Sequence, residues 1–268
     1  MSRLVADTLT MAERNLVRLP RQPDMLLGFT VQPIMFVLLF AYVFGGAIDI
    51  GTALDTGAPL PPGQESGDYV DFLMPGIIVQ SVAFGGFVTA LGLCEDLGKG
   101  LIDRFRSLPT ARAAVLAGRA VADIVTNALS LVILIVTGVI IGFAFQTGVL
   151  EVLAGIGLCL LLGFASSFVF ALIGMNASTP EAANGIGFTI IFPITFISSA
   201  FVPVESMPSV LRTFAELNPV TFWVDALRHL WLDTPAGDAV WASLVWIVVL
   251  VAIFAPLSVR KYRSVASH

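Results

Sequence analysis

Six long apolar runs, separated by shorter polar segments, set the hydropathy pattern of this chain. Each run approaches the roughly 20 residues that a helix needs to cross the hydrocarbon core of a bilayer. The pattern therefore predicts an all-α integral membrane protein with six transmembrane helices. The predicted spans are Met25–Ala47, Val70–Leu93, Ala120–Phe143, Val152–Met175, Asn184–Val202 and Val240–Ser258.

Residues 2–19 have the periodicity of an amphipathic helix that lies in the membrane interface rather than crossing it. Its apolar face holds Val5, Leu9, Ala12, Leu16 and Leu19, and Arg3, Asp7, Thr10, Arg14 and Arg18 lie opposite. Pro20 and Pro23 then break the helix and turn the chain into the first span. A signal-like or disordered tail is the alternative, although the short apolar core of a cleavable signal peptide is missing.

Residues 94–112 form the longest charged segment and lie between two uncharged runs. On a helical wheel one face holds Leu97, Leu101, Phe105 and Leu108, and the other holds Asp96, Lys99, Asp103 and Arg106. Pro109 ends or constrains the helix. The segment is either an ordinary loop or a surface helix on which a soluble partner docks. The wheel does not decide which face such a partner would meet.

The composition excludes a water-soluble globule. Of 268 residues, 57% are hydrophobic and 12% are charged, whereas soluble domains have about 25% charged residues. The net charge of −5 gives no indication of nucleic-acid binding, because the charges are segregated by position. Cys94 and Cys159 match no metal-binding or redox spacing, so we expect both to be buried and expect no metal site.

The basic residues are distributed very unevenly between the two sides of the predicted membrane. Twelve of the 14 Lys and Arg lie in the amino-terminal arm, the loop after span two and the carboxy-terminal tail. The positive-inside rule therefore places both termini and the charged segment in the cytoplasm of a multi-pass cell-membrane protein. Arg212 and Arg228 fall on the external side, as does the acidic loop 48–69.

The segment 203–235 is too polar to span the membrane and too apolar to be a plain loop. Helices are predicted over Ser209–Leu217 and Val220–Trp231, because Asn218 can cap the second helix and Pro219 suits its first position. Between two spans, such a pair forms either a re-entrant hairpin that dips in from outside or two interfacial helices anchored by tryptophan.

Three local features lie within or next to the spans. Ser178 and Glu181 have the spacing of a capping box that opens span five. Arg119 and Asp123 stand one helical turn apart and are expected to pair. A stripe of small residues in span four packs either within the subunit or against another subunit. The stripe consists of Gly163, Ser167 and Ala171.

Several kinds of chemistry are missing from the sequence. No carboxylate lies at a span centre, which counts against a proton- or sodium-coupled carrier. Gly98-Lys99-Gly100 is not a phosphate loop, because Leu93 and Gly100 stand where that motif needs glycine and Ser or Thr. The metalloprotease and nucleophile-elbow motifs are also missing. Transport driven by ATP would therefore need a separate ATPase.

Three parts of the chain together resemble the permease subunit of a type-2 ABC exporter of the daunorubicin-resistance kind. The first is the arm that ends in Arg18-Leu-Pro-Arg21. The second is Glu95-Asp-Leu-Gly-Lys-Gly, followed by Arg106-Ser-Leu-Pro-Thr-Ala-Arg112, Gly118-Arg119 and Asp123. The third is Pro203-x-Glu205 with Leu217-Asn218-Pro219. The resemblance covers essentially the whole chain and implies a single permease domain, residues 1–268, with the six-span bundle at 25–258.

The resemblance further implies that residues 2–19 are the connecting helix and residues 94–112 are the coupling helix. Two permeases, as a homodimer or with a sister chain, would work with two ATPase subunits that bind ATP and Mg²⁺. This chain would bind no cofactor and catalyse no reaction itself. The implied coupling residues are Glu95, Asp96, Leu97, Lys99, Leu101, Ile102, Asp103, Arg104, Arg106 and Leu108. An external gate would involve Glu216, Asn218, Pro219 and Trp223.

The uncharged spans suit an amphipathic, drug-like or lipid-like cargo better than a hydrophilic polymer. The chain contains 20 phenylalanines, and polar side chains are rare within the spans. The candidates for lining a cargo path are Gln32, Gln80, Asn127 and Asn184. An ion-coupled secondary transporter and a non-transporting membrane scaffold remain the alternative functions.

Overall fold

The computed structural model describes residues 8, 10–13, 15, 23–44, 67–98, 112–235 and 237–265. Within these ranges the regular structure is helical, with no β-strand. The α-helices are α1 (Pro23–Leu39), α2 (Gly67–Phe84), α3 (Phe87–Gly98), α4 (Arg112–Ile141), α5 (Val149–Asn176), α6 (Pro180–Phe196), α7 (Ser209–Leu217), α8 (Pro219–Leu232) and α9 (Ala239–Val265). A π-helical turn, Phe40–Phe44, continues α1, and a 3₁₀ turn, Val204–Ser206, precedes α7.

Among the residues that the structure describes, four helical segments are long and apolar enough to cross a membrane. They are Tyr69–Gly98, Leu116–Ile141, Val149–Asn176 and Ala239–Tyr262. A fifth apolar helix, Val31–Tyr42, is shorter among the described residues. The chain is therefore an all-helical, multi-pass membrane protein.

Helix α5 is the centre of the bundle and packs against α2, α3, α4, α8 and α9. The close approach to α3 needs glycine, because a Cβ on Gly174 would lie 2.7 Å from the Cα of Ala90. The small-residue stripe of α5, Gly163, Ser167 and Ala171, is buried within this one chain. Small residues let helix backbones approach closely. Of the two alternatives for the stripe, packing within the subunit is therefore the one found here.

The predicted second span corresponds to two helices in line, α2 and α3, with an interruption at Gly85 and Gly86. The prediction ended this span at Leu93, where the apolar run stops, but the helix continues to Gly98. Glu95, Asp96 and Leu97 therefore belong to the end of α3. The other predicted coupling residues lie outside the described residues, namely Lys99, Leu101, Ile102, Asp103, Arg104, Arg106 and Leu108.

The local signals around α6, α7 and α8 mark the helix ends well. Helix α7 has the bounds predicted from the sequence, and the Asn218 Oδ1 accepts a hydrogen bond from the Val220 amide at the start of α8. Helix α6 begins at Pro180, but the predicted cap was one residue off. Thr179, not Ser178, caps the helix by accepting a hydrogen bond from the Ala182 amide.

Candidate functional site

One end of the bundle, where α3 ends and α4 begins, contains a buried ion pair; we call it the loop end. Asp96 is 2% exposed and Arg119 is 6% exposed. The Arg119 guanidinium donates to the Asp96 carboxylate and, over 3.2 Å, to the Gly92 carbonyl. This pair joins α3 to α4. Removing one partner of a buried pair leaves an uncompensated charge, so both side chains hold each other in place.

The predicted pairing of Arg119 with Asp123 is wrong, because Arg119 is turned toward the neighbouring helix. Asp123 is also buried, and its carboxylate accepts a 2.7 Å hydrogen bond from the Thr89 hydroxyl of α3. Arg119 and Asp123 of α4 therefore both bind to α3. A pairing across two helices has no signature in the spacing along one helix. The helical wheel placed Asp96 on the polar face of a surface helix and left open which face a partner would meet.

The amino-terminal arm contacts the same end of the bundle. Residues 8, 10–13 and 15 are helical, and Met11 and Ala12 are buried. A Cβ on Gly118 would lie 2.9 Å from the Thr8 carbonyl oxygen, so this glycine lets the arm lie directly on α4. The arm, α3, α4, α5 and α9 share one apolar cluster at the loop end. It contains Met11, Leu93, Leu116, Ala171, Met175 and Tyr262.

A small cavity lies between α1, α2, α4 and α6, and it includes the interruption at Gly85. Three of the four side chains predicted to line a cargo path contribute to it, namely Gln32, Gln80 and Asn127. The fourth, Asn184, is exposed and does not line this cavity. Asn184 lies one helical turn before Phe188 on the same face of α6, so it is its position along the helix that leaves it outside the cavity.

The polar side chains that line this cavity differ in whether their hydrogen-bonding groups have partners. The Gln80 amide donates over 3.3 Å to the Thr195 hydroxyl of α6. The Asn127 side chain is 3% exposed, and its Nδ2 has no hydrogen-bond partner among the described residues. Thr126 and Ser130 of α4 also line the cavity. The cavity thus presents neutral polar groups within an otherwise apolar wall.

The opposite end of the bundle contains a second buried cation, Arg228 of α8. It donates to the Phe72 carbonyl of α2 over 2.9 Å and 3.2 Å, and to the Ser199 carbonyl over 2.8 Å. Its third partner is the Asp225 carboxylate at 3.2 Å, which also accepts a 2.8 Å hydrogen bond from the Ser199 hydroxyl. Burial lowers the pKa of Arg228 to about 10 and raises the pKa of Asp225, although the Arg228 charge opposes the latter shift.

No motif in the sequence predicted this cluster. The available signal was that Arg228 is one of only two basic residues outside the three basic segments. Arg212, the other, is exposed and pairs with Glu216 one turn along α7 at 2.9 Å. A basic residue that is rare on its side of the membrane, and lies within an apolar helix, indicates a buried structural partner.

The four predicted gate residues have different surroundings. Glu216 is exposed, and Pro219 opens α8. The Asn218 Nδ2 donates to the carbonyls of Ile194 (2.6 Å) and Ile197 (2.5 Å), so Asn218 fastens the end of α6 to the start of α8. Trp223 is 5% exposed and belongs to the main apolar core. The structure therefore brings Asn218 and Pro219 together at a helix junction and separates Trp223 from the surface.

Long apolar helices pack around a central helix, and the buried ion pairs of the described residues lie near the two ends of the bundle, which is the architecture of a multi-pass membrane protein. No group of three or more potential metal ligands occurs in the described parts of the chain. The ABC-2 type transporter family matches residues 6–232. The chain belongs to this family, and it is a permease subunit of an ABC transporter whose ATPase is a separate chain.

Relatives agree with this assignment. The chain is 32% identical to the daunorubicin resistance ABC transporter permease protein DrrB1 of Streptomyces coeruleorubidus, covering 98% of this chain and 88% of the relative. It is 26% identical to the probable doxorubicin resistance permease protein DrrC of Mycobacterium tuberculosis, covering 98% and 91%. The probable multidrug permease YbhR of Escherichia coli is 24% identical, over 73% of this chain and 53% of the relative.

Proposed function

We propose that this permease moves an amphipathic, drug-like or lipid-like cargo out across the cytoplasmic membrane, driven by ATP hydrolysis on a separate subunit. The relatives are named as daunorubicin, doxorubicin and multidrug permeases, which supports an export role. The apolar and aromatic lining of the internal cavity supports an amphipathic cargo.

The ion pair between Asp96 and Arg119 is the observation that carries this proposal. It joins the two helices that flank residues 99–111, so a displacement of this segment moves α3 and α4 together rather than separately. The apolar cluster at the loop end extends the connection to α5, α9 and the arm. In our proposal the ATPase docks on residues 94–112 and pushes on this junction, with residues 2–19 as the connecting helix.

The proposed topology has six spans and both termini in the cytoplasm. Helix α6, with 17 residues, and α1 with its π-helical continuation supply the two spans beyond the four longest segments. A length of 17 residues is at the lower limit for crossing a bilayer, roughly 17–25 residues. Two copies, or one copy with a sister permease, and two ATPases form the working unit.

The outer helices α7 and α8 form the external gate in this proposal. Helix α7 exposes Val210, Phe214 and Leu217, which suits contact with lipid or with a second permease. Helix α8 is anchored in the bundle through Arg228 and Trp223. Helix α8 is therefore fixed in the bundle and helix α7 is exposed, which suits a re-entrant hairpin at a gate.

The docking assignment is tested with the double variant Leu101→Asp with Asp103→Arg. The complex with the ATPase should no longer co-purify, and ATP-driven efflux from cells should be lost. A matched variant on the opposite side, Leu217→Asp with Arg212→Glu, should retain the ATPase. If the first variant assembles and exports normally, the ATPase does not dock on this segment. Uptake driven by an ion gradient in proteoliposomes, without an ATPase, would establish a secondary transporter instead.

A further inference from the structure

We propose that the small cavity between α1, α2, α4 and α6 binds a cluster of about three ordered water molecules, which joins the interrupted second span to α4. The inference goes beyond the export function and does not depend on it, because water binding needs neither cargo nor ATPase. The residues that identify the site are Ser81 of α2, close to the interruption, and the buried Asn127 of α4.

The Asn127 amide supplies a hydrogen-bond donor that needs an acceptor. The side chain is 3% exposed, and its Nδ2 has no partner among the described residues. A buried donor without an acceptor costs free energy, so proteins usually satisfy such a group with another protein atom or with an ordered water molecule. The oxygen of a water molecule in the cavity would accept this hydrogen bond.

The interruption of the second span supplies an acceptor at the same place. In an unbroken helix the Gly85 amide would donate to the Ser81 carbonyl, four residues back. Here it donates instead to the Val82 carbonyl over 3.1 Å, and regular pairing resumes between the Ala90 amide and the Gly86 carbonyl, also at 3.1 Å. The Ser81 carbonyl therefore loses its helical donor, and both Ser81 and Gly85 line the cavity. A water molecule can donate to this carbonyl.

Asn127 is held against the interruption by close packing on two sides. A Cβ on Gly85 would lie 2.7 Å from the Asn127 Cγ, and a Cβ on Gly163 of α5 would lie 3.2 Å from the same atom. The amide of α4 therefore lies next to the interruption, where one water molecule can accept from α4 and donate to α2.

The volume and the chemistry of the cavity match water. The cavity measures about 40 Å³, and one water molecule needs roughly 10–15 Å³. The hydroxyls of Ser81, Thr126 and Ser130 belong to lining residues, and a hydroxyl can both donate and accept. A metal cation does not fit, because the Asn127 N–H is a donor and none of the lining residues is charged.

An apolar wall encloses these polar groups. Phe36, Phe84, Phe188 and Phe192 line the same cavity, and the rings of Phe84 and Phe188 approach to 5.4 Å between centroids. Water that is hydrogen-bonded on one side and covered by aromatic rings on the other is held in place. The cluster is therefore bound water rather than a continuation of the bulk solvent.

The cluster connects the helices at the joint differently from the connections at the two ends of the span. Asp96 and Arg228 hold those ends through direct, charged hydrogen bonds. A bridging water molecule is enthalpically nearly as good as a direct hydrogen bond, and it can move with the groups that it joins. The two helices can therefore shift against each other at the joint without leaving a buried polar group unsatisfied.

The site is tested by X-ray radiolysis of the full-length permease in lipid nanodiscs, with the oxidation of each phenylalanine measured by mass spectrometry. X-rays produce hydroxyl radicals from bound water as well as from bulk water, so a ring beside a bound cluster is oxidised. Phe84, which lines the cavity, should be oxidised several-fold more than Phe164 of α5, which is also half-buried but lies outside the cavity. Laser photolysis of hydrogen peroxide, which produces radicals in the bulk solvent, should label Phe84 no more than Phe164.

Three variants connect the labelling to the cavity. Asn127→Leu keeps the side-chain volume and removes the donor, and it should lower the X-ray labelling of Phe84 to the level of Phe164. Thr126→Val keeps the shape and removes one hydroxyl; it should also lower the labelling, and it serves if Asn127→Leu does not give a monodisperse protein. The control is Asn184→Leu, on an exposed face of α6 outside the cavity, and it should leave the labelling unchanged.

Equal X-ray labelling of Phe84 and Phe164 in the wild type would overturn the site, as would unchanged labelling in both Asn127→Leu and Thr126→Val. Strong labelling of Phe84 by both methods would also overturn it, because the cavity would then be open to bulk water. These measurements use the permease alone. A loss of ATP-driven export would therefore not change them, and the two proposals can fail separately.

Discussion

The guanidinium carbon of Arg228 lies 3.7 Å from the centre of the Phe72 ring, and the same guanidinium donates twice to the Phe72 carbonyl. One residue of α2 thus binds the cation through both its π face and its backbone. Only a planar guanidinium offers the donors and the flat face for this arrangement. Arg228 therefore fixes α8 to the first turns of α2, and through Ser199 to the end of α6.

Substitution of Arg228 should destabilise the fold more than substitution of any exposed basic residue. Arg228→Lys keeps the charge but loses the fork and the stacking on Phe72, and we expect a cost of roughly 1–3 kcal/mol. Arg228→Leu should cost more, because Asp225 and two carbonyls lose their partner. Thermal unfolding in detergent measures both. Arg212→Leu, which breaks an exposed pair, should change the midpoint little, and a larger effect there would contradict this ranking.

The stability of the cluster should depend on pH through Asp225. Because burial raises the pKa of Asp225 in the folded state, the folded chain binds more protons than the unfolded chain between pH 3.8 and that raised value. Lowering the pH through this window therefore stabilises the fold, with no further gain below it. The midpoint of the wild type should rise relative to that of Asp225→Asn as the pH falls. If the midpoint of the wild type instead falls relative to that of Asp225→Asn as the pH is lowered, this prediction is wrong.

The ion pair at the loop end should behave as a buried pair in a double-mutant cycle. Asp96→Leu and Arg119→Met, made singly, each remove the opposite charge from the buried residue that remains, at a cost of about 3–5 kcal/mol. The double variant Asp96→Leu with Arg119→Met should be more stable than either single variant, because it removes both charges. Unfolding by denaturant in nanodiscs provides the four values. Glu181→Gln, which neutralises an exposed carboxylate in the first turn of α6, is the control and should have little effect.

Two glycines of α5 should respond differently to the same substitution. Gly174→Ala forces a Cβ against the Ala90 backbone, which belongs to α3 and cannot move alone, and should cost about 1–3 kcal/mol. Gly157 has open space at its Cβ position, so Gly157→Ala should be neutral or stabilise by up to about 1 kcal/mol through helix propensity. The two midpoints, measured side by side, check this. Equal destabilisation by the two substitutions would mean that the effect of Gly174→Ala does not come from packing against Ala90.

Asn218 has two separable roles, one for each side-chain atom. Asn218→Asp keeps the oxygen that accepts from the Val220 amide and loses the donor to Ile194 and Ile197. Asn218→Ala loses both, including a cap typically worth about 1 kcal/mol. Hydrogen exchange at the Val220 amide should accelerate in Asn218→Ala but remain slow in Asn218→Asp. Thr179→Ala, which removes the cap of α6, should leave that amide unaffected.

What the sequence predicted correctly was local. The bounds of α7 and the start of α8 follow from Asn218 and Pro219, whose effects act within one turn. Gln80 and Asn127, which line the cavity, were candidates from the sequence because polar residues are rare within the spans. The features that could not be predicted from the sequence depend on contacts between helices. The partner of Arg119 lies 23 positions away on α3, and Asn184 is outside the cavity because the cavity ends one turn further along α6, at Phe188.

The interruption at Gly85 and Gly86 divides the second span into two rigid halves that are clamped to different neighbours. The half nearer the loop end, α3, is held to α4 by Asp96, and the other half, α2, is held to α8 by Arg228. With no side chains at the joint, the span can bend there instead of moving as one rigid rod. A displacement of the loop end would then be converted into bending at Gly85, beside the cavity between α1, α2, α4 and α6, while α2 stays still. Distance measurements between labels on α2 and α3 should therefore change during turnover, and those between labels on α2 and α8 should not.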